Sequence, residues 1–151
     1  MSGLRGGRKL QRAALAALAL VLGGCASIPP GGCPVSAKAM DQGTIDANNA
    51  IVLARGCRDT SEGCDVPVQL ISGNAPVYPC EELLEGRTGT VVLRFLVDES
   101  GLPSDFKVDS TPSEGFTRAA IDAVRTWKFK PSRLRGDPIR HWVVQPVSFQ
   151  L

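Results

Sequence analysis

The chain has little aromatic content, 5%, with one tyrosine, two tryptophans, five phenylalanines and a single histidine among its 151 residues. One histidine rules out a metal-binding histidine pair, and no glycine-framed nucleophile motif is present, so common hydrolase and zinc-protease chemistries find no residues to carry them. No apolar run approaches the ~20 residues a membrane-spanning helix needs: the uncharged stretch from Ala13 to Leu22 stops at Gly23 and Gly24. No two cysteines stand two to four residues apart, the spacing by which an all-cysteine zinc site usually declares itself. Neither charge sign is in large excess, with 17 basic and 15 acidic residues. Four of the bases, Arg5, Arg8, Lys9 and Arg12, sit in the first two dozen residues, so the remainder is slightly acidic and has no surplus to spend on nucleic acid.

The four basic residues head the uncharged run, and small residues follow it, which is the layout of an export signal. Leu22-Gly23-Gly24-Cys25 resembles the lipobox of bacterial lipoproteins, in which the cysteine receives a diacylglyceryl group and becomes the new N-terminus. The resemblance implies a signal peptide over 1–24, cut away, and a lipid on Cys25 that holds the protein at a membrane. Several acyl chains at ~0.8 kcal/mol per buried methylene anchor stably, where one chain alone would be marginal. Ala26, not an aspartate, follows the cysteine and favours the outer membrane by enteric sorting rules.

Four cysteines remain, Cys33, Cys57, Cys64 and Cys80, an even number in an exported chain, and so they read as disulfides with three pairings open. Cys57 and Cys64 flank a turn-rich stretch and make the local pair, which leaves Cys33 for Cys80. Residues 27–34, Ser-Ile-Pro-Pro-Gly-Gly-Cys-Pro, suit neither helix nor central strand. We expect 25–67 to be a flexible, lipid-anchored tether with a disulfide loop. Within it Thr44 to Arg55 is a weak helix candidate, because Asn48 and Asn49 interrupt its apolar stripe.

Residues 68–151 are more regular. Val91, Leu93, Phe95 and Val97 alternate with a mixed second face and predict a strand with one face buried. Asp98-Glu99-Ser100-Gly101 supplies turn chemistry without the spaced carboxylates of a calcium loop, and Phe106 and Val108 continue the alternation in a hairpin partner. Phe116, Ala120, Ala123, Val124 and Trp127 share one side of a helix that starts at Thr111 or near Ser113. Trp127 and Phe129 end that stripe as core residues rather than as a ligand-stacking pair. Val143, Val147, Phe149 and Leu151 mark a last strand, and Pro146 inside it requires an edge or a bulge. His141 reads as a strand residue, not a catalytic base. No enzyme activity, cofactor or metal is expected.

From Pro76 to Leu151 the chain resembles the C-terminal domain of the TonB family of periplasmic energy transducers. The resemblance rests on Pro76-Val77-Tyr78-Pro79, Gly89-Thr90-Val91, Val97-Asp98 with Gly101, Ala119-Ala120, Ala123-Val124, Trp127-Lys128-Phe129-Lys130-Pro131, Gly136-Asp137-Pro138 and Pro146-Val147-Ser148-Phe149. It implies an α+β fold, two helices packed on a three-stranded antiparallel sheet with the first helix near Cys80 to Leu84. It also implies a partner, the short box peptide of an outer-membrane receptor, added as a strand to the sheet edge. The binding residues are then Arg140, Trp142, Val144, Pro146, Ser148 and Gln150. The same edge offers a second copy of the chain a pairing surface, and the basic residues Lys128, Lys130, Arg133, Arg135 and Arg140 read as a solvated run. Family transducers enter the inner membrane through an uncleaved helix and cross the periplasm on a long proline-rich spacer. Ala26 to Pro67 is too short and too poor in proline for that rod, so the expected role is a lipid-anchored periplasmic binding protein contributing to transport. The alternative is a structural envelope lipoprotein that uses the fold to hold another envelope protein or a cell-wall component.

Overall fold

A computed structural model describes residues 38–55, 57 and 63–151. The signal segment, Cys25 and Cys33 lie outside the described residues. The order of elements is α1 (Gln42–Arg55), β1 (Gln69–Ser72), α2 (Cys80–Leu84), β2 (Gly89–Val97), β3 (Pro103–Ser110), α3 (Glu114–Val124), β4 (Lys128–Lys130), β5 (Ser132–Leu134), β6 (Asp137–Ile139) and β7 (His141–Phe149).

The centre is a three-stranded antiparallel sheet in the order β3-β2-β7. β2 alternates as its sequence requires: Val91, Leu93, Phe95 and Val97 are fully buried, while Thr90 and Arg94 reach solvent. Each of those four side chains contributes ~1.5–3 kcal/mol of transfer free energy, and together they fix which face is core. α3 lays Phe116, Ala120 and Val124 on that face. Its start is Ser113, whose Oγ accepts from the Phe116 N–H at 3.2 Å and donates to Glu82 Oε1 on α2 at 2.5 Å. One side chain thus caps α3 and ties the two family helices together. Trp127 and Phe129 are buried as core residues, with Trp127 Nε1 donating to the Asn74 carbonyl at 2.9 Å.

The β2–β3 turn is closed by Asp98. Its Oδ1 accepts from Ser100 N at 2.9 Å, Ser100 Oγ at 2.6 Å and Leu102 N at 2.9 Å. The Ser100 side chain above all, then the Leu102 amide, hold this carboxyl below its ordinary value of 3.8. Gly101 sits at φ +85° with its carbonyl accepting from Phe129 N at 2.9 Å, so the turn packs directly onto β4. β1 pairs with β4, and β5 with β6, as two short ribbons beside the main sheet.

The structure adds a third helix to the two implied by the family. α1 occupies part of the stretch expected to be tether, and it is packed: Ile45 and Val52 belong to the core cluster. The chain leading into it bridges the strand-like segment at Asn74, with Met40 N donating to Gly73 O at 2.9 Å and Ala75 N to Lys38 O at 2.8 Å. Asp41 Oδ1 then accepts from Thr44 N at 2.8 Å, which caps the helix; that amide bond leads the causes holding the Asp41 carboxyl below its ordinary value. The two asparagines that break the apolar stripe add polar ties to this docking. Asn49 accepts from Leu70 N at 2.6 Å and donates to Leu70 O at 3.0 Å, pairing with β1 as another strand would. Asn48 Oδ1 accepts from Gln145 Nε2 at 2.7 Å, reaching a fully buried side chain of β7. After the helix, Cys57 and Cys64 are joined by a disulfide with Cα atoms 5.2 Å apart. Cys80 is also disulfide-bonded.

Candidate functional site

A three-stranded sheet has two outer strands, and here they differ. β3 is unsuited to further pairing: its register with β2 shifts twice, Asp105 stands at φ 50°, and Lys107 and Asp109 line it. Bulges and edge charges are the usual means of keeping a strand from recruiting another. β7 is the reverse. It pairs with β2 through nine consecutive residues without a break, from Gly89–Phe149 to Val97–His141.

Pro146 lies inside this unbroken ladder, opposite Val92. In an antiparallel pair successive residues turn their backbone groups alternately toward one neighbour and away from it, and a proline, having no N–H, is accommodated where the N–H would point away. Trp142, Val144 and Ser148 share its phase, so their N–H and C=O groups form the row facing outward from β7, while the Pro146 carbonyl in that row accepts from Gln145 Nε2 at 3.1 Å. Arg140 and Gln150, the other two residues expected to contact a partner, flank the strand and are exposed. The structure therefore brings the six expected residues into one line, four within β7 and one at each end.

The other phase of β7 faces the core with Val143, Val147 and Phe149, and also Gln145. His141 is buried at the head of the strand, its Nδ1 2.5 Å from Ser132 Oγ on β5. The site's charges are largely committed. Arg140 Nε donates to both Glu99 oxygens at 3.1 and 3.2 Å. The Glu99 carboxyl lies below its ordinary value, first through its own backbone N–H and then through Arg140. Lys107 Nζ stands 4.7 Å from the centre of the Trp142 ring on the outer sheet face. Arg133 donates to the Gly136 carbonyl at 2.6 Å, and the Arg135 N–H is accepted by Asp65. The basic run is thus spread over ribbon turns rather than gathered into one patch. Among the described residues no three histidine, cysteine, aspartate or glutamate side chains converge as metal ligands, and no helix is long and apolar enough to cross a membrane.

No apolar period in the sequence marks what lies beside this edge. A groove of about 510 Å³ runs between α1 and the Pro146–Ser148 end of β7. Asn48 and Asn49, which tie α1 to Gln145 and Leu70, stand in the sequence only as breaks in a helical stripe.

Residues 74–151, about half of the chain, match the family model described as the Gram-negative bacterial TonB protein C-terminal. The chain belongs to this family. Among characterised TonB proteins, "Protein tonB2" of Pseudomonas aeruginosa is 42% identical over 79 residues, which are 51% of this chain and 29% of that one. "Protein TonB" of Xanthomonas campestris pv. campestris is 34% identical over 90 residues, 59% of this chain and 40% of the relative. A solution NMR structure of the Pseudomonas aeruginosa TonB CTD aligns with a TM-score of 0.48 and 26% identity, covering 56% of this chain and 86% of that one. The chain spans well under half the length of these two TonB relatives. The TonB family match begins at residue 74, so α1 precedes it.

Proposed function

We propose that this TonB-family chain binds the box segment of an outer-membrane receptor by adding it as a strand to β7, and so takes part in transport across the envelope. The observation that carries the proposal is the unbroken, proline-phased edge of β7 beside a second edge disabled by bulges and charge. Backbone pairing of this kind gives affinity with little dependence on side chains, which suits a domain that serves receptors of differing sequence. The protein works in the periplasm, held by lipid on Cys25 at the outer membrane after removal of residues 1–24, with Cys33 bonded to Cys80. Binding needs no cofactor and no catalysis.

Titration of receptor-box peptides against the isotope-labelled full chain tests the reading. Saturable amide shifts confined to Arg140 through Gln150 are the expected result, and their absence would sink it. Ser148→Pro sharpens the test, because it removes one outward N–H at an exposed position two residues after a tolerated proline in the same phase of the strand. A lost hydrogen bond of ~1 kcal/mol weakens peptide binding roughly fivefold, with the fold intact. For the anchor, a Cys25→Ser precursor should remain unprocessed by lipoprotein maturation; normal processing and membrane fractionation would count against it.

A further inference from the structure

We infer that α1 forms the second wall of a peptide cleft and selects for an apolar side chain on the strand added to β7. The inference rests on the strand-addition reading and goes beyond it by assigning side-chain specificity to a helix that precedes the family domain. The groove between α1 and β7 is bounded on one side by Pro146, Val147 and Ser148, and on the other by Gly43, Thr44, Ala47 and Ile51. Those α1 positions lie one helical turn apart on a single face, and Gly43, Thr44 and Ala47 are exposed, so small side chains keep the groove open. Pro76 and Trp127 close its floor. A strand lying against the outward groups of Trp142, Val144 and Ser148 must run past this opening, with alternate side chains directed into it.

The chemistry of the walls decides what those side chains are. The lining is mainly aliphatic, indole and proline surface. Most of the polar groups that reach it have other work: Asp41 Oδ1 accepts from the Thr44 amide, Asn48 donates to the Thr44 carbonyl at 2.8 Å while accepting from Gln145, and Ser148 Oγ lies 3.0 Å from Thr90 Oγ1. Against this mainly apolar lining a polar side chain would lose more water than it regains in partners, whereas an apolar one gains burial. A volume of about 510 Å³ is within the ordinary size range of ligand clefts.

The test uses the full chain and two capped octapeptides, one alternating valine with threonine and one alternating serine with threonine. The wild-type protein should bind the valine peptide at least tenfold more tightly. Ala47→Phe, which fills the groove from an exposed helical position, should remove that preference: tenfold weaker binding of the valine peptide, less than twofold change for the serine peptide. Thr44→Phe, on the same face, repeats the test should the first variant fold poorly, with amide spectra reporting the fold. If both variants bind the valine peptide as the wild type does, with shifts along Arg140 to Gln150 retained, the cleft is overturned and strand addition stands. If the wild type binds neither peptide, both readings fall.

Discussion

Replacing Asn49 tests whether α1 is docked by its amide or merely by its apolar contacts. Asn49 makes two opposed hydrogen bonds to the backbone of Leu70, whose residue is 3% exposed, so water cannot readily take the amide's place. Asn49→Ala removes both bonds and leaves a buried N–H and C=O unpaired, at ~1–3 kcal/mol apiece. A loss of about 2–6 kcal/mol follows. Asn49→Asp keeps the acceptor for the Leu70 N–H but sets a carboxylate oxygen against the Leu70 carbonyl, so it should also lose ~2 kcal/mol or more. The ceiling is the free energy with which α1 itself is held, because beyond it the helix leaves and the sheet stays folded. Ile45 and Val52 at ~1.5–3 kcal/mol each place that ceiling within reach of the predicted loss. Urea unfolding of the full chain at neutral pH reads the global effect, and hydrogen exchange at the Leu70 amide reads the local one. Exchange at Leu70 should accelerate in both variants while Phe95 stays protected. An Asn49→Asp protein within 0.5 kcal/mol of wild type, with Leu70 still protected, would refute the two-bond docking.

Two further outcomes follow from the β2–β3 turn. A Cβ on Gly101 would lie 1.9 Å from the Phe129 carbonyl oxygen at a φ of +85°, so Gly101→Ala must displace backbone. It should cost ~3 kcal/mol or more in urea unfolding, beyond the ~1–2 kcal/mol of left-handed strain alone. Asp98 has a carboxyl depressed in the folded state, so its stabilisation is complete above its ordinary value of 3.8 and is lost as pH falls through the lower folded value. Protection of the Ser100 and Leu102 amides, relative to their intrinsic exchange rates, should therefore fall in acid below that point, and Asp98→Asn should flatten the dependence; equal acid dependence in wild type and Asp98→Asn would contradict it.

The elements that could be read from the sequence are those whose stability comes from one continuous apolar face. β2 and α3 bury their faces as their periods demand, and Pro146 announced the edge because a missing N–H leaves few places in a sheet. α1 was barely legible since Asn48, Asn49 and Gln145 dock it by side-chain amides, which no hydrophobic period records. The ribbons β1–β4 and β5–β6 are three or four residues per strand, too short for alternation to register. Val108 continued the alternation on paper but is exposed even though it pairs with the buried Leu93, because β3 is an outer strand of the sheet. The groove leaves no trace in the sequence for a different reason: Ala47, Pro76 and Pro146 meet only after folding.

The two bulges and the left-handed Asp105 in β3 set an upper limit on assembly. A sheet with two usable borders can be extended without end, copy after copy, into a fibre. With one border blunted, two copies joined through β7 would use the open border of both main sheets among the described residues. The same geometry makes self-pairing and peptide capture mutually exclusive, so protein concentration alone would compete with the partner.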